Sequence, residues 1–302
     1  MNQTVLITGA SGLIGKPLTR FLLDKGYKVH QLTRDLTKPN DGAKAFKWNV
    51  ANMEIDEKCI ENVDAIINLA GEGIADKTWT QNRKQQIIES RTGALKLLYK
   101  LLKETNHQVK TFISSSAVGH YGDRKDEILT EQSEPGTDFM ANTCLAWERS
   151  ADKISSLGIR LVKFRTGVVL SNDGGSLPKM AKPIRLNLVS VLGSGKQWVS
   201  WIHIDDALNM ILYALENQNI QDIYNMCSPF PVTNKELTNA IAKQLHKPLW
   251  MPAVPELALR IILGEMSRVV LNSQRVSADK IVEAGFKFKY PKIEQALRDI
   301  YE

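Results

Sequence analysis

The segment Thr8-Gly9-Ala10-Ser11-Gly12-Leu13-Ile14-Gly15 spaces three glycines three residues apart. It follows the β-branched run Thr4 to Thr8 directly and precedes Leu18, Phe21, Leu22 and Leu23 at helical spacing. Small residues at such a junction let the backbone turn tightly and approach a pyrophosphate. The helix that begins there adds unpaired N–H groups and a partial positive charge. Glycines at this spacing alone carry little information; the strand before and the helix after are what a dinucleotide-binding turn requires.

The end of the second strand distinguishes the two nicotinamide dinucleotides. A carboxylate there accepts hydrogen bonds from the ribose hydroxyls and repels a 2′-phosphate. This chain has Leu32-Thr33-Arg34, with Lys38 close behind. Thr33 is a neutral donor and Arg34 can hold a phosphate bidentately, so NADP(H) is the expected cofactor. The competing reading of Arg34 is a solvated surface charge.

Other residue types invite chemistry less strongly. His203 with Asp205 and Asp206 has the composition of a metal site, yet Asp205 reads better as a helix cap and His203 as a packed strand residue, so no metal is expected. Cys59, Cys144 and Cys227 have no CxxC spacing and fit buried thiols in a reducing compartment. No His is placed by sequence to activate Cys144 as a nucleophile. Trp198 and Trp201 read equally as cleft lining or core.

The elements that must position these residues alternate. Strand patterns lie at Thr4 to Thr8, Tyr27 to Thr33, Ala45 to Trp48, Ala65 to Leu69, Lys110 to Ser114 and Arg160 to Phe164. Helices fall between them: a polar one after Trp48, a long amphipathic one from about Thr80 to Glu104, and one around Ala141 to Leu157. Short apolar strands alternating with helices predict an α/β fold, a Rossmann doubly wound parallel sheet covered on both faces. The rhythm breaks after Arg165 and returns at Trp201 to Leu215. The expected division is a dinucleotide-binding domain of residues 1–170 with 199–228, and a smaller C-terminal substrate domain of residues 171–198 with 229–302.

The 302 residues carry 39 Lys and Arg against 33 Asp and Glu, a formal charge of +6. The cations are dispersed without a basic block, which argues against nucleic acid as a partner. No apolar stretch reaches the roughly 18 residues of a membrane span, and no targeting segment is evident, so the chain reads as cytoplasmic with no membrane partner. The expected partner is a small-molecule substrate; a homodimer is left open.

Further segments complete a resemblance that runs along nearly the whole chain: Asn68-Leu69-Ala70-Gly71-Glu72, Glu89-Ser90-Arg91, Ser114 through Gly122 (SSSAVGHYG), Ala146-Trp147-Glu148, Arg165 through Ser171 (RTGVVLS) and Trp201 through Asp206 (WIHIDD). Together they resemble the atypical short-chain dehydrogenase/reductases called epimerase family proteins, relatives of the nucleoside-diphosphate-sugar epimerases. The resemblance implies that Gly9, Ser11, Gly12, Leu13 and Ile14, with Gly15 behind them, wrap the pyrophosphate. It implies that Thr33 and Arg34 meet the adenosine ribose and its phosphate. Leu69, Ala70, Gly71 and Glu72 would line the crevice, and Arg91 would reach the cofactor from the long helix. As a bare sequence feature, Arg91 reads equally as an exposed helix charge.

Extended members of that superfamily place a Tyr-x-x-x-Lys on the helix after the fifth strand, the Tyr as acid/base and the Lys lowering its pKa. With Trp147-Glu148 as the landmark, those positions hold Met140 and Cys144, which can replace neither. The literal Tyr121 to Lys125 spacing includes Gly122 and Asp123, which favour a turn. Ser116 and Tyr121 are the remaining candidates for catalytic polar groups near the nicotinamide. The sequence thus points to an NADP(H)-binding, epimerase-like oxidoreductase with a nonstandard active site, or alternatively to a non-catalytic NADPH-binding sensor or scaffold.

NADPH should bind this chain more tightly than NADH, and Arg34→Ala should remove about ten- to a hundredfold of the NADPH affinity, the weight of one charge-assisted contact. Titration calorimetry giving equal affinities for the two dinucleotides in the wild type contradicts the assignment.

Overall fold

A computed structural model describes residues 3–37, 42–248 and 250–302; Lys38 lies outside them. Strand β1, Thr4–Thr8, is buried along its entire length, as a central parallel strand covered on both faces must be. Around it stand β2 (Lys28–Thr33), β3 (Lys44–Asn49), β4 (Ala65–Asn68), β5 (Thr111–Ala117), β6 (Arg160–Thr166) and β7 (Asp222–Met226). The sheet order is β7-β6-β5-β4-β1-β2-β3, with the two-residue strand Glu54–Ile55 added antiparallel at the far edge. Every other pairing in this sheet is parallel. The order reverses between β1 and β4, which opens a crevice at their carboxyl ends.

The helices are α1 (Gly15–Asp24), α2 (Gln81–Glu104), α3 (Phe139–Asp152), α4 (Ser176–Arg185), α5 (Ile204–Glu216), α6 (Asn234–Gln244) and α7 (Glu256–Leu263), followed by shorter segments and a C-terminal helix, Ile293–Tyr301. Successive strand residues point to opposite faces. Val5 and Ile7 therefore pack with Leu18 and Leu22 of α1 and Leu208 and Ile211 of α5. Leu6, Ile66 and Phe112 pack with Leu95 and Leu98 of α2 and Trp147 of α3. Each such aliphatic side chain, fully withdrawn from water, contributes about 1.5–3 kcal/mol before chain entropy is counted. A third cluster joins α4, α6 and the C-terminal helix through Leu177, Ile184, Leu237, Ile241, Ala296 and Leu297.

One expectation is corrected, and two pairings go beyond the sequence pattern. The polar helix after Trp48 is a single 3₁₀ turn, Glu57–Ile60, started by the Asp56 side chain. The returning strand Trp201–His203 pairs with Val168–Leu170 outside the main sheet. The strand that closes the sheet is β7, whose polar Asp222 and Asn225 hid it from an apolar-run search; Asn225 is fully buried because its amide is bonded on both sides.

The phosphate-type turn is held by close backbone contact. Gly9 has φ +67°, and a Cβ on it would lie 2.7 Å from the Leu69 carbonyl oxygen. A Cβ on Gly15 would overlap the Gly9 carbonyl, whereas one on Gly12 meets that oxygen at 3.2 Å and nothing else. Gly15→Ala should therefore cost roughly 1–3 kcal/mol in urea unfolding, the range for overpacking, and Gly12→Ala clearly less. Equal losses for the two variants would contradict this reading of the turn.

Candidate functional site

The glycine turn delivers the start of α1 to the crevice without blocking it. No side chain caps this helix and no acidic residue stands in its first turn. Ser11 and Gly12 are exposed there, while Leu13 and Ile14 turn their side chains toward the core. The Thr8 hydroxyl donates to Asn68 Oδ1 and accepts from the Leu69 and Ala70 N–H groups, fixing the facing strand end. Gly9 and Leu69–Ala70 thus form the two lips of the crevice.

At its adenosine end, Arg34 is 81% exposed and lies 3.7 Å from Glu72. The Thr33 hydroxyl is engaged in the local turn, donating to the Asp35 carbonyl and accepting from the Asp35 N–H. The Asp35 carboxylate accepts from the Thr37 N–H and hydroxyl, so the acid near this strand end serves its own turn. Glu72 also pairs with Arg83 at 3.2 Å, a buried residue that sequence reasoning missed. Arg83 donates to the Gly73 carbonyl as well, and its Nε is buried with no partner. Its signal was legible: Arg83, Ile87 and Arg91 recur every four residues on the buried stripe of α2.

Arg91 is buried beneath this loop instead of extending into the crevice. It donates to the carbonyls of Ile87 and Glu72 and stacks on Trp147 with its Cζ 5.0 Å from the ring. Its guanidinium lies against Gly71, where a Cβ would approach it to 3.0 Å. Burial lowers its pKa from the usual arginine value, the Glu72 charge opposing that shift. Arg91 holds the Gly71–Glu72 turn in place.

Helix α3 begins with Asp138 capping the Ala141 N–H. The face where a Tyr-x-x-x-Lys would stand presents Met140 and Cys144, both buried. The turn Val118–Tyr121 closes over them, so that a Cβ on Gly119 would meet Met140 at 3.3 Å and Cys144 Sγ at 3.8 Å. Burial pushes the Cys144 thiol up to about 12, which removes it as a base or nucleophile. Tyr121 ends that turn and Lys125 follows in a loop at φ 51°, so the two do not share a helix face.

Both catalytic candidates from the sequence are hydrogen-bonded within the protein. Ser116 is 3% exposed and donates to Glu148 Oε1 at 2.6 Å. Tyr121 is fully buried; it borders the cleft, but its hydroxyl is turned into the protein. Its hydroxyl donates to Asn225 Oδ1 at 2.6 Å and accepts from Arg165 at 3.0 Å. The cause is one ion pair, Arg165 with Glu148, made through two hydrogen bonds of 2.9 Å with both residues buried. Burial works to raise the Glu148 carboxyl, and the Arg165 bonds and charge, with His120 and Ser116, outweigh it and hold the group below its ordinary value. His120 stands 3.5 Å from Glu148, and burial lowers it to about 4 despite that neighbour.

Beside the turn, a cleft of about 720 Å³ lies between residues 121–124 and 135–138 on one side and 256–272 on the other. Met266 crosses to pack with Trp79, Ile87, Phe139 and Met140 at its edge, and Lys84 pairs with Glu265. Trp201 is core, whereas Trp198 bonds Asp126 and stacks on Arg275.

His203, Asp205 and Asp299 come close enough to suggest a cation. His203 itself caps α5, its Nδ1 accepting the Asp205 N–H, so Asp205 is not the cap. The neutral ring then carries its proton on Nε2, which lies 3.4 Å from Asp299 without a hydrogen bond to it and offers no lone pair to a cation. Asp206 accepts from the backbone of Lys289 and Tyr290.

Removing one partner of the Glu148–Arg165 pair leaves an unpaired buried charge, so Glu148→Ala should cost about 3–5 kcal/mol in denaturant unfolding. Acid should weaken the protein through the same cluster. Below an ordinary histidine pKa of about 6.5 the unfolded chain takes up a proton at residue 120 that the folded chain refuses, so stability falls from there toward pH 4. Glu148, held below its ordinary value, extends the loss at lower pH as the folded carboxylate is protonated. His120→Phe should flatten the upper part of this profile; an unchanged slope contradicts it.

The sequence profile of the NAD dependent epimerase/dehydratase family matches residues 5–227, and that of a domain of unknown function (DUF1731) matches residues 254–300. The chain is 36% identical over 299 residues to the epimerase family protein YfhF of Bacillus subtilis, covering 99% of this chain and 98% of that one. It is similar in structure to the human epimerase family protein SDR39U1 (isoform 2), solved with NADPH, at TM-score 0.87, 28% identity and 99% coverage of both chains. A nucleoside-diphosphate sugar epimerase from Corynebacterium glutamicum matches at TM-score 0.82 and 33% identity, covering all of this chain and 58% of that one. No helix among the described residues is long and apolar enough to cross a membrane. A Rossmann sheet with an open glycine turn at its switch point and a matching sequence profile over most of its length make this chain a member of the NAD dependent epimerase/dehydratase family, in the group of the epimerase family proteins.

Proposed function

We propose that the protein is an NADP(H)-dependent oxidoreductase of epimerase-like build whose proton transfer does not use a Tyr–Lys pair. The observation that carries this is the cradle itself. The uncapped start of α1 follows the glycine turn packed against the Leu69 backbone, Arg34 and Arg83 share the carboxylate of Glu72, and Arg91 donates to the Glu72 backbone carbonyl. The excess of guanidinium over carboxylate suits an anionic dinucleotide, and the partnerless Arg83 Nε is a buried donor awaiting an acceptor. That the similar human protein was solved with NADPH supports the choice of dinucleotide. Ser11, Leu13 and Ile14 would hold the pyrophosphate by backbone N–H groups where Gly9 and Gly12 let it approach, the Gly12 N–H itself closing the turn on the Gly9 carbonyl, and Arg34 would hold the 2′-phosphate. Bound there, NADPH supplies a hydride. The cleft of about 720 Å³ would admit a small-molecule substrate beside it. With Ser116 and Tyr121 both committed to the buried network, proton transfer falls to water or to the substrate.

A second reading, a dinucleotide-responsive binder without turnover, is favoured by the apolar seal of Gly119, Met140 and Cys144 where the acid/base pair would stand.

The purified protein should bind NADPH saturably and should not interconvert UDP-glucose and UDP-galactose with NADP⁺ or NAD⁺. A positioned acid/base contributes about 10²–10⁴-fold, and positions 140 and 144 of α3 hold Met and a buried Cys instead. Oxidation of NADPH against a panel of small carbonyl compounds supports the oxidoreductase. Tight binding with no turnover on any of them favours the second reading. Failure to bind NADPH refutes both, and efficient epimerisation refutes the assignment of α3.

A further inference from the structure

The apolar side chains left in water are concentrated. Leu186, Leu188, Trp250, Leu257, Ile261 and Ile262 are 48–75% exposed and make up six of the eleven large apolar residues exposed among the described residues. They belong to one side of the molecule. The Trp250 indole donates to the Asn187 carbonyl, Ser190 donates to the Pro252 carbonyl, and Leu192 bridges Val254, so 250–254 runs alongside 187–193 and leads straight into α7. Helix α7 is inverted for a surface helix. Leu259 is its one buried residue, Glu256 and Arg260 line the cleft, and Leu257, Ile261 and Ile262 face solvent. On α2 and α3 no large apolar side chain is exposed among the described residues, so those long helices offer no comparable surface.

We infer that the α7 face, with Trp250 and the Leu186–Leu188 turn, is the interface with a second copy of this chain. At their observed exposures these six side chains present on the order of 800 Å², about what one partner contributes to a standard specific interface. A monomer rarely leaves a patch of that size open. The patch is self-complementary in charge as well. Glu256 and Arg260 pair one turn apart along the flank of α7. Two α7 helices crossing antiparallel about a twofold axis bring Glu256 of each copy beside Arg260 of the other while Leu257, Ile261 and Ile262 meet at the centre. Because the same helix forms one wall of the cleft, association braces that wall in both copies at once.

The test is the mass of the full chain by sedimentation equilibrium across a concentration series, with Ile261→Glu and Trp250→Ser beside the wild type. The wild type should be dimeric, and each variant should dissociate at least about tenfold more readily, as central interface residues do. Circular dichroism should be unchanged, since both side chains are exposed. A wild type that stays monomeric at the highest concentration overturns the proposal, as does a dimer that both variants leave intact. Flotation with vesicles of phosphatidylglycerol and phosphatidylcholine provides the remaining arm. A monomeric wild type carried up by the vesicles, and Ile261→Glu left behind, makes lipid the occupant and refutes the second copy.

Discussion

The buried pair of Glu148 and Arg165 is the interaction on which the centre of this molecule depends. A carboxylate and a guanidinium withdrawn from water are tolerable together and costly apart. Arg165 is on β6, Glu148 on α3, and the guanidinium also donates to the Tyr121 hydroxyl and the Glu131 carbonyl. Glu131 in turn accepts from the Asn225 N–H, and Asn225 accepts from Tyr121. One ion pair therefore fastens α3, the turn after β5, the loop at residue 131 and strand β7. It also takes Ser116 out of reach, because the strongest acceptor near that hydroxyl is Glu148.

The chemistry open to the protein follows from that arrangement. With its polar groups committed to holding the strand ends, the helix face that carries acid/base groups in relatives is left to Met140 and Cys144, and the turn at Gly119 packs onto them. The crevice on the other side of β4 is differently built. There Glu72 is shared by Arg34 and Arg83, and the buried Arg91 holds the backbone of the same loop. Guanidinium groups are thus concentrated beside the glycine turn, and the facing side of α3 presents the buried Met140 and Cys144.

The segments outside the main sheet tie these regions together. Met266 reaches the apolar cluster at the mouth of the crevice, and Lys84 at the start of α2 meets Glu265. Helix α7 sits between this contact region and solvent, with its polar edge toward the cleft and its apolar face outward. A surface element so placed links the shape of the cleft to whatever covers it.

The sequence by itself determined the sheet and the turn, because both are written in local terms. β-branched runs such as Thr4–Thr8, glycines at 9, 12 and 15, and the apolar period of α2 depend on near neighbours along the chain. The family resemblance, with Trp147-Glu148 as its landmark, set Met140 and Cys144 against the positions of the usual pair, and both are buried on α3. Strand β7 was illegible because its buried Asn225 looks polar until Tyr121 and Ser277, both distant in sequence, are brought to it. Where the side chains of Ser116 and Tyr121 point was decided only by tertiary structure. Their types and spacing fit a catalytic cleft, but a hydroxyl turns to the strongest partner within reach. For both, that partner belongs to a charge cluster assembled from α3, β6 and β7, the bonded residues lying 32 or more positions further along the chain.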